Sequence, residues 1–171
     1  YGPKAFRNEA QARAWISRLN DVPRYFSEQI ANMRLGLARG FTPPRVTLGG
    51  RAASISSVYE GKTPEQSSFY EPFLSLPANI PAETRAALQA EAKAAIADKV
   101  FPAYRTLLPF FRDEYYPKTT TELAATKLPD GEAYYAAQIR EYTTLKLSPD
   151  EIHQTGLAEV AKIRARMNDV T

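Results

Sequence analysis

Apolar residues recur at spacings of three and four along nearly the whole chain, and nowhere alternate with polar ones long enough to predict a strand. Asn8 is placed to cap a first helix through EAQARAWISRLN, with Trp15, Ile16 and Leu19 on one side. Pro23 then starts a second, RYFSEQIANMRLGLAR, whose Phe26, Ile30, Met33 and Leu37 recur at i, i+4, i+7 and i+11 before Gly40 stops it. Thr42 followed by Pro43 predicts a third helix, weakened by Gly49 and Gly50, each costing about 1 kcal/mol relative to alanine in a helix interior. A flexible loop is expected over about residues 60–80, with Phe69, Tyr70 and Phe73 pinning it to a core.

PAETRAALQAEAKAAIADKV is helix-forming by its alanine content and runs on into FPAYRTLLPFFRDEYYP. There Phe101, Tyr104, Leu108, Phe111 and Tyr115 form one aromatic stripe suited to core packing. Pro102 and Pro109 should kink or divide that element, and Pro117 should end it. The turn Pro129-Asp130-Gly131 opens a helix carrying Tyr134, Tyr135, Ile139 and Tyr142. Ser148, Pro149 and Glu151 compose a capping box for a last helix with Ile152, Gly156, Val160, Ile163 and Met167 along one face. The pattern therefore predicts an all-α chain of about six helices kinked at prolines, with residues 1–171 forming a single helical region of a larger domain. A chain that opens on Tyr1 and reaches Thr171 in mid-helix, with no stop signal, is expected to be a piece of a longer protein.

Composition narrows the chemistry more than it changes this picture. The 171 residues are 44% hydrophobic and 24% charged, ordinary values for a soluble globular protein. No apolar run approaches the ~20 residues that span a bilayer. With no cysteine, thiol nucleophiles, disulfides and cysteine-ligated zinc are excluded; with one histidine, so is any His-His metal pair. Residues 1–51 hold nine Lys/Arg against three Asp/Glu, net +6, and the remainder 13 against 16, net −3. The arginines are spread singly over the helices, which fits a solvated or inter-domain surface and predicts no nucleic-acid partner.

His153, beside the apolar face of the last helix, lacks the i, i+4 histidine partner of an HExxH helix, and a hydrogen-bonded or interface role is the default. No GxSxG turn presents a serine, the Gly49-Gly50 pair lacks phosphate-loop spacing, and Asp113-Glu114 reads as a solvated helix edge. No self-sufficient catalytic or metal site is predicted. LPDGEAYY differs in kind: a glycine turn before a tyrosine pair either packs those rings or aims phenol hydroxyls and backbone amides at a cleft, where they can hold a peptide carbonyl or an oxyanion.

RYFSEQIANMRLGLARGFTPPRVTL, FPAYRTLLPFFRDEYYP and, most specifically, LPDGEAYYAAQIREYTTLKLSPDEIHQTGLAEVAKI resemble the bacterial domain of unknown function family 885 (DUF885). The resemblance implies long, mainly helical proteins, often lipoproteins or secreted, related in pattern to thermolysin-like zinc peptidases. It implies a zinc-binding HExxH helix downstream of LSPDEIHQTGLAEV, past the point where this sequence stops. On that footing this chain would carry scaffold and one wall of a cleft for a peptide substrate, with Asp130, Gly131, Tyr134 and Tyr135 facing it. Zinc would belong to the parent protein, which would lie in the periplasm or cell envelope or be secreted. A non-catalytic helical module for protein interaction is the rival expectation.

Overall fold

The apolar stripe Ala12, Ile16, Leu19, Ile30 continues through Val22, Phe26, Met33 and Leu37 in unbroken helical phase, so one face of the first segment stays apolar across Pro23. In the computed structural model, which describes residues 3–170, that phase decides the outcome: the two helices expected on either side of Pro23 are one helix, α1, Glu9–Ala38. Pro23 removes the donor for the Leu19 carbonyl, a local cost that burial on both sides of it outweighs. Asn8 Oδ1 accepts from the Gln11 N–H at 3.0 Å, as the cap requires. At the other end Gly40 adopts φ 69°, and the N–H groups of Gly40 and Phe41 return to the carbonyls of Leu37 and Gly36.

The third helix does not form as a single unit. Arg45–Leu48 is a 3₁₀ turn and α2 spans only Arg51–Ser56, because Gly50 between them takes φ 76°. Thr42 is not a cap either; it is buried, and its hydroxyl accepts from the Thr120 N–H at 3.0 Å. Arg45 ties the same strip, donating through Nη2 to the carbonyls of Pro117 (2.7 Å) and Thr119 (2.8 Å).

Residues 61–80 contain two 3₁₀ turns, Pro64–Gln66 and Glu71–Phe73, and are anchored as their aromatic content predicts. Phe73 is fully buried and Tyr70 nearly so. The Trp15 indole donates to the Phe69 carbonyl at 3.1 Å and the Gln89 amide to the Phe73 carbonyl at 2.9 Å. Fully burying a side chain such as Phe73 is worth about 1.5–3 kcal/mol.

From residue 82 the chain stays helical to residue 118, with its geometry changing near the prolines. α3 (Ala82–Ala95) widens into a π turn at Ile96–Val100, α4 covers Phe101–Pro109, a second π turn follows at Phe110–Tyr115, and a 3₁₀ turn at Tyr116–Lys118 ends the run. One widened turn thus precedes Pro102 and the other follows Pro109, the positions where an α-helical donor is missing. Phe101, Phe111 and Tyr115 are buried and Tyr104 half-buried, so the aromatic stripe is core. Burial pushes the Tyr104 and Tyr115 phenols above the usual tyrosine range.

The core has two parts. Leu19, Phe73, Leu88, Ile96 and Val100 centre the larger, where α1, α3 and the 61–80 segment meet. Ile30, Phe110, Phe111 and Tyr115 centre the smaller, closed by Leu48, Ala52 and Ile55 from the 3₁₀ turn and α2. By contacts the chain divides into two compact units, the first ending at Thr121 and the second running from Glu122. The second contains α5 (Gly131–Thr143) and α6 (Pro149–Asn168), the latter with its capping box in place: Ser148 N–H donates to Glu151 and Glu151 N–H to Ser148 Oγ. No strand occurs among the described residues, and no helix there is long and apolar enough to cross a membrane. Tyr1 and Thr171 lie outside the described residues.

Because the α1 stripe runs through Pro23 without needing a bend, Pro23→Ala should stabilise the chain by about 1–3 kcal/mol in urea unfolding. An unchanged or lowered midpoint would show that packing requires the proline there.

Candidate functional site

The helix bearing the tyrosine pair starts from a tightly wound turn. Ala125–Lys127 is a 3₁₀ turn, and Gly131 N–H returns to the Leu128 carbonyl at 2.8 Å. Gly131 is buried so closely on that turn that a Cβ would lie 2.2 Å from the Ala125 carbonyl oxygen and 2.7 Å from the Thr126 carbonyl carbon. Here glycine is needed for close approach of backbone to backbone. Asp130 takes φ 53°, a left-handed conformation that Asp tolerates better than most residues, and its carbonyl accepts the Tyr134 N–H at 2.9 Å.

The structure brings all four predicted residues onto this one turn. Asp130 and Tyr134 share a face at i, i+4, as do Gly131 and Tyr135. Tyr134 is 38% and Tyr135 41% exposed, so neither ring is core; Ile139 is the side chain that anchors α5. At the far end of α5, Thr144 adopts φ 61°, which is strained for a β-branched residue. Hydroxyl hydrogen bonds brace it: Thr144 Oγ1 donates to the Thr143 carbonyl and Thr143 Oγ1 to the Ile139 carbonyl, both at 2.6 Å.

His153 is exposed on the first turns of α6, and no group of three His, Asp or Glu side chains among the described residues is placed to hold a metal ion. Asp113 and Glu114 are on a helix edge, as expected, but Glu114 does more than face solvent. Arg34 donates to it in a bidentate pair, Nε to Oε1 and Nη2 to Oε2, each 2.7 Å, and its guanidinium lies 5.0 Å from the Phe110 ring centroid. The pair stands at a groove of about 570 Å³ floored by Ile30, Pro109 and Phe110 and edged by Ser27, Thr106 and Asp113. Sequence reasoning missed this groove because its two walls are 80 positions apart; the one hint was Arg34, four residues after Ile30 on the same helix.

A family model described as "Bacterial protein of unknown function (DUF885)" matches residues 3–171. The chain belongs to the DUF885 family. No curated protein matches it significantly. Among solved structures, this DUF885 chain is similar to the crystal structure of "the putative lipoprotein from Colwellia psychrerythraea", with a TM-score of 0.85 and 25% identity over 97% of its own length. It spans 28% of that longer chain.

Two predictions come from these geometries. Gly131→Ala should cost at least about 2 kcal/mol by forcing the turn off α5, read as faster amide exchange along α5; unchanged exchange would mean the turn yields freely. The Arg34 guanidinium holds the Glu114 carboxyl below the usual glutamate range. A depressed folded-state value means the stabilisation is present at neutral pH and is lost as pH falls through that range. Wild type should therefore lose thermal stability on acidification slightly more steeply than Glu114→Gln, and high salt should narrow the difference because the pair is exposed. Identical acid limbs would show that the pair contributes nothing.

Proposed function

We propose that this chain is a non-catalytic, substrate-side scaffold of a longer zinc-dependent peptidase located in the cell envelope or secreted. Asp130, Gly131, Tyr134 and Tyr135 lie on the wall of a peptide cleft that the rest of the polypeptide completes. The observation that carries the reading is the backbone around α5: Asp130 and Thr144, the only non-glycine residues with positive φ among those described, bracket the helix that carries the tyrosines. Such strain persists where surrounding structure holds a backbone in place, and it clusters at functional sites. The Colwellia protein's description supports the envelope location.

What these residues contribute is binding and orientation. A half-exposed phenol can donate a hydrogen bond to a peptide carbonyl while its ring covers apolar substrate, and a helix-borne pair projects in two directions about 100° apart. The residues present do not fit a zinc site: there is one histidine, no cysteine and no suitable carboxylate cluster among those described. Any metal would be held by residues of the longer polypeptide. The basic first third fits a salt-bridged surface better than a nucleic-acid face, since Arg13, Arg24 and Arg34 are paired with Glu9, Asp21 and Glu114.

A second reading, a helical protein-interaction module without peptidase activity, is favoured by one feature. Of the sixteen large hydrophobic side chains exposed among the described residues, eleven lie from residue 122 onward. The complete gene product separates the two. Peptide hydrolysis with bound zinc, falling about tenfold in kcat/KM in the Tyr134→Phe/Tyr135→Phe double variant while zinc content is unchanged, supports the scaffold. Absence of zinc and hydrolysis supports the module, and unchanged turnover in the double variant removes the tyrosines from the site.

A further inference from the structure

α6 is twenty residues long and contains no buried residue. Its helical wheel nonetheless carries one apolar stripe. Ile152, Gly156, Val160, Ile163 and Met167 fall within about 80° of one another, while Glu151, Gln154 and Lys162 occupy the far side. Ile152, Val160 and Ile163 are 37%, 49% and 52% exposed. Its side chains supply a capping box, a Thr155 hydroxyl bond to the Glu151 carbonyl and a Lys162–Glu159 pair, while Gly156 weakens its middle. Helices of this kind owe most of their stability to packing of the apolar face.

Two features identify what covers that face. The first is its shape. If Val160, Ile163 and Met167 form the seam of a paired helix, the same heptad puts Gly156 and His153 in the seam, and Leu157 and Ile152 flank it. A stripe this broad, with a gap and a histidine in the would-be seam, suits a layer of a larger helical domain better than a second copy of itself. The second is length: the structurally similar Colwellia chain is more than three times as long, so polypeptide is available there to form such a layer.

We propose that the Ile152–Val160–Ile163 face of α6 is an internal docking surface, covered by an apolar layer from the further sequence of the longer polypeptide. The proposal rests on the reading of this chain as part of a longer protein, but not on any peptidase chemistry.

The absence of cysteine makes a direct test possible. Single-cysteine variants Ile163→Cys and Val160→Cys on the apolar face, and Gln154→Cys on the polar face, are made both in this 171-residue chain and in a cysteine-free version of the complete gene product. Maleimide labelling is timed in each, with circular dichroism showing that each variant retains its helix. In the complete product the two apolar-face cysteines should label at least about tenfold more slowly than Gln154→Cys, whereas in the 171-residue chain all three label alike. Equal labelling at all three positions in the complete product overturns the proposal, as does a gene product that ends with this chain. Protection in the short chain that grows with protein concentration also overturns it and assigns the face to a second copy. Because labelling does not depend on metal, loss of the zinc reading leaves this result standing, and loss of protection leaves zinc and turnover to be judged separately.

Discussion

Everything in the first unit depends on one steric requirement: the apolar stripe of α1 must stay in phase for thirty residues so that a single helix can serve both parts of the core. Leu19 and Ile16 reach the larger part and Ile30 the smaller, and a break at Pro23 would separate them. The helical run from residue 82 to 118 answers that stripe from the other side, and the 61–80 segment fills what remains with Phe73. Polar ties are few and placed at ends: Thr42 and Arg45 at the close of the long run, Trp15 and Gln89 on the segment. This is a core held by shape, with hydrogen bonds fixing where the chain turns.

That arrangement explains which parts could be read from sequence. Caps and stops are local chemistry, so Asn8, Gly40 and the Ser148–Glu151 box were legible. The aromatic stripe at 101–115 was legible because periodicity survives small changes in helix geometry. What failed was judgement of the punctuating residues. Pro23 looks like a start in sequence because local rules weigh the missing donor and not the burial gained by continuing. Thr42 was read as a cap because its distant partner, Thr120, is invisible to local rules. The Arg34–Glu114 pair and its groove were missed for the same reason. In the candidate site the turn and tyrosines were legible, but the strain at Thr144 was not, since nothing in the residue type announces a left-handed backbone.

The two units differ in how completely they are built. Among the described residues, most large apolar side chains up to residue 121 are buried or half-buried, whereas from residue 122 only Gly131 and Ile139 are buried. The first unit of this DUF885 chain has a finished core, and the second leaves apolar and tyrosine side chains exposed.

The π turns have a consequence for comparing relatives. Each accommodates about one residue more than an α-helical turn does, so the helix beyond it keeps the phase it would have if that residue were absent. A homologue lacking one residue near 96–100 or 110–115 would show only a single gap in an alignment. In that homologue the π turn would close to an α turn, and the buried side chains Phe101, after the first stretch, and Tyr115, at the end of the second, would keep facing the core. Gap placement along the run from residue 82 to 118 therefore decides which side chains face inward: within these two stretches a single gap leaves the helical phase unchanged, whereas elsewhere it turns everything beyond it by about 100°.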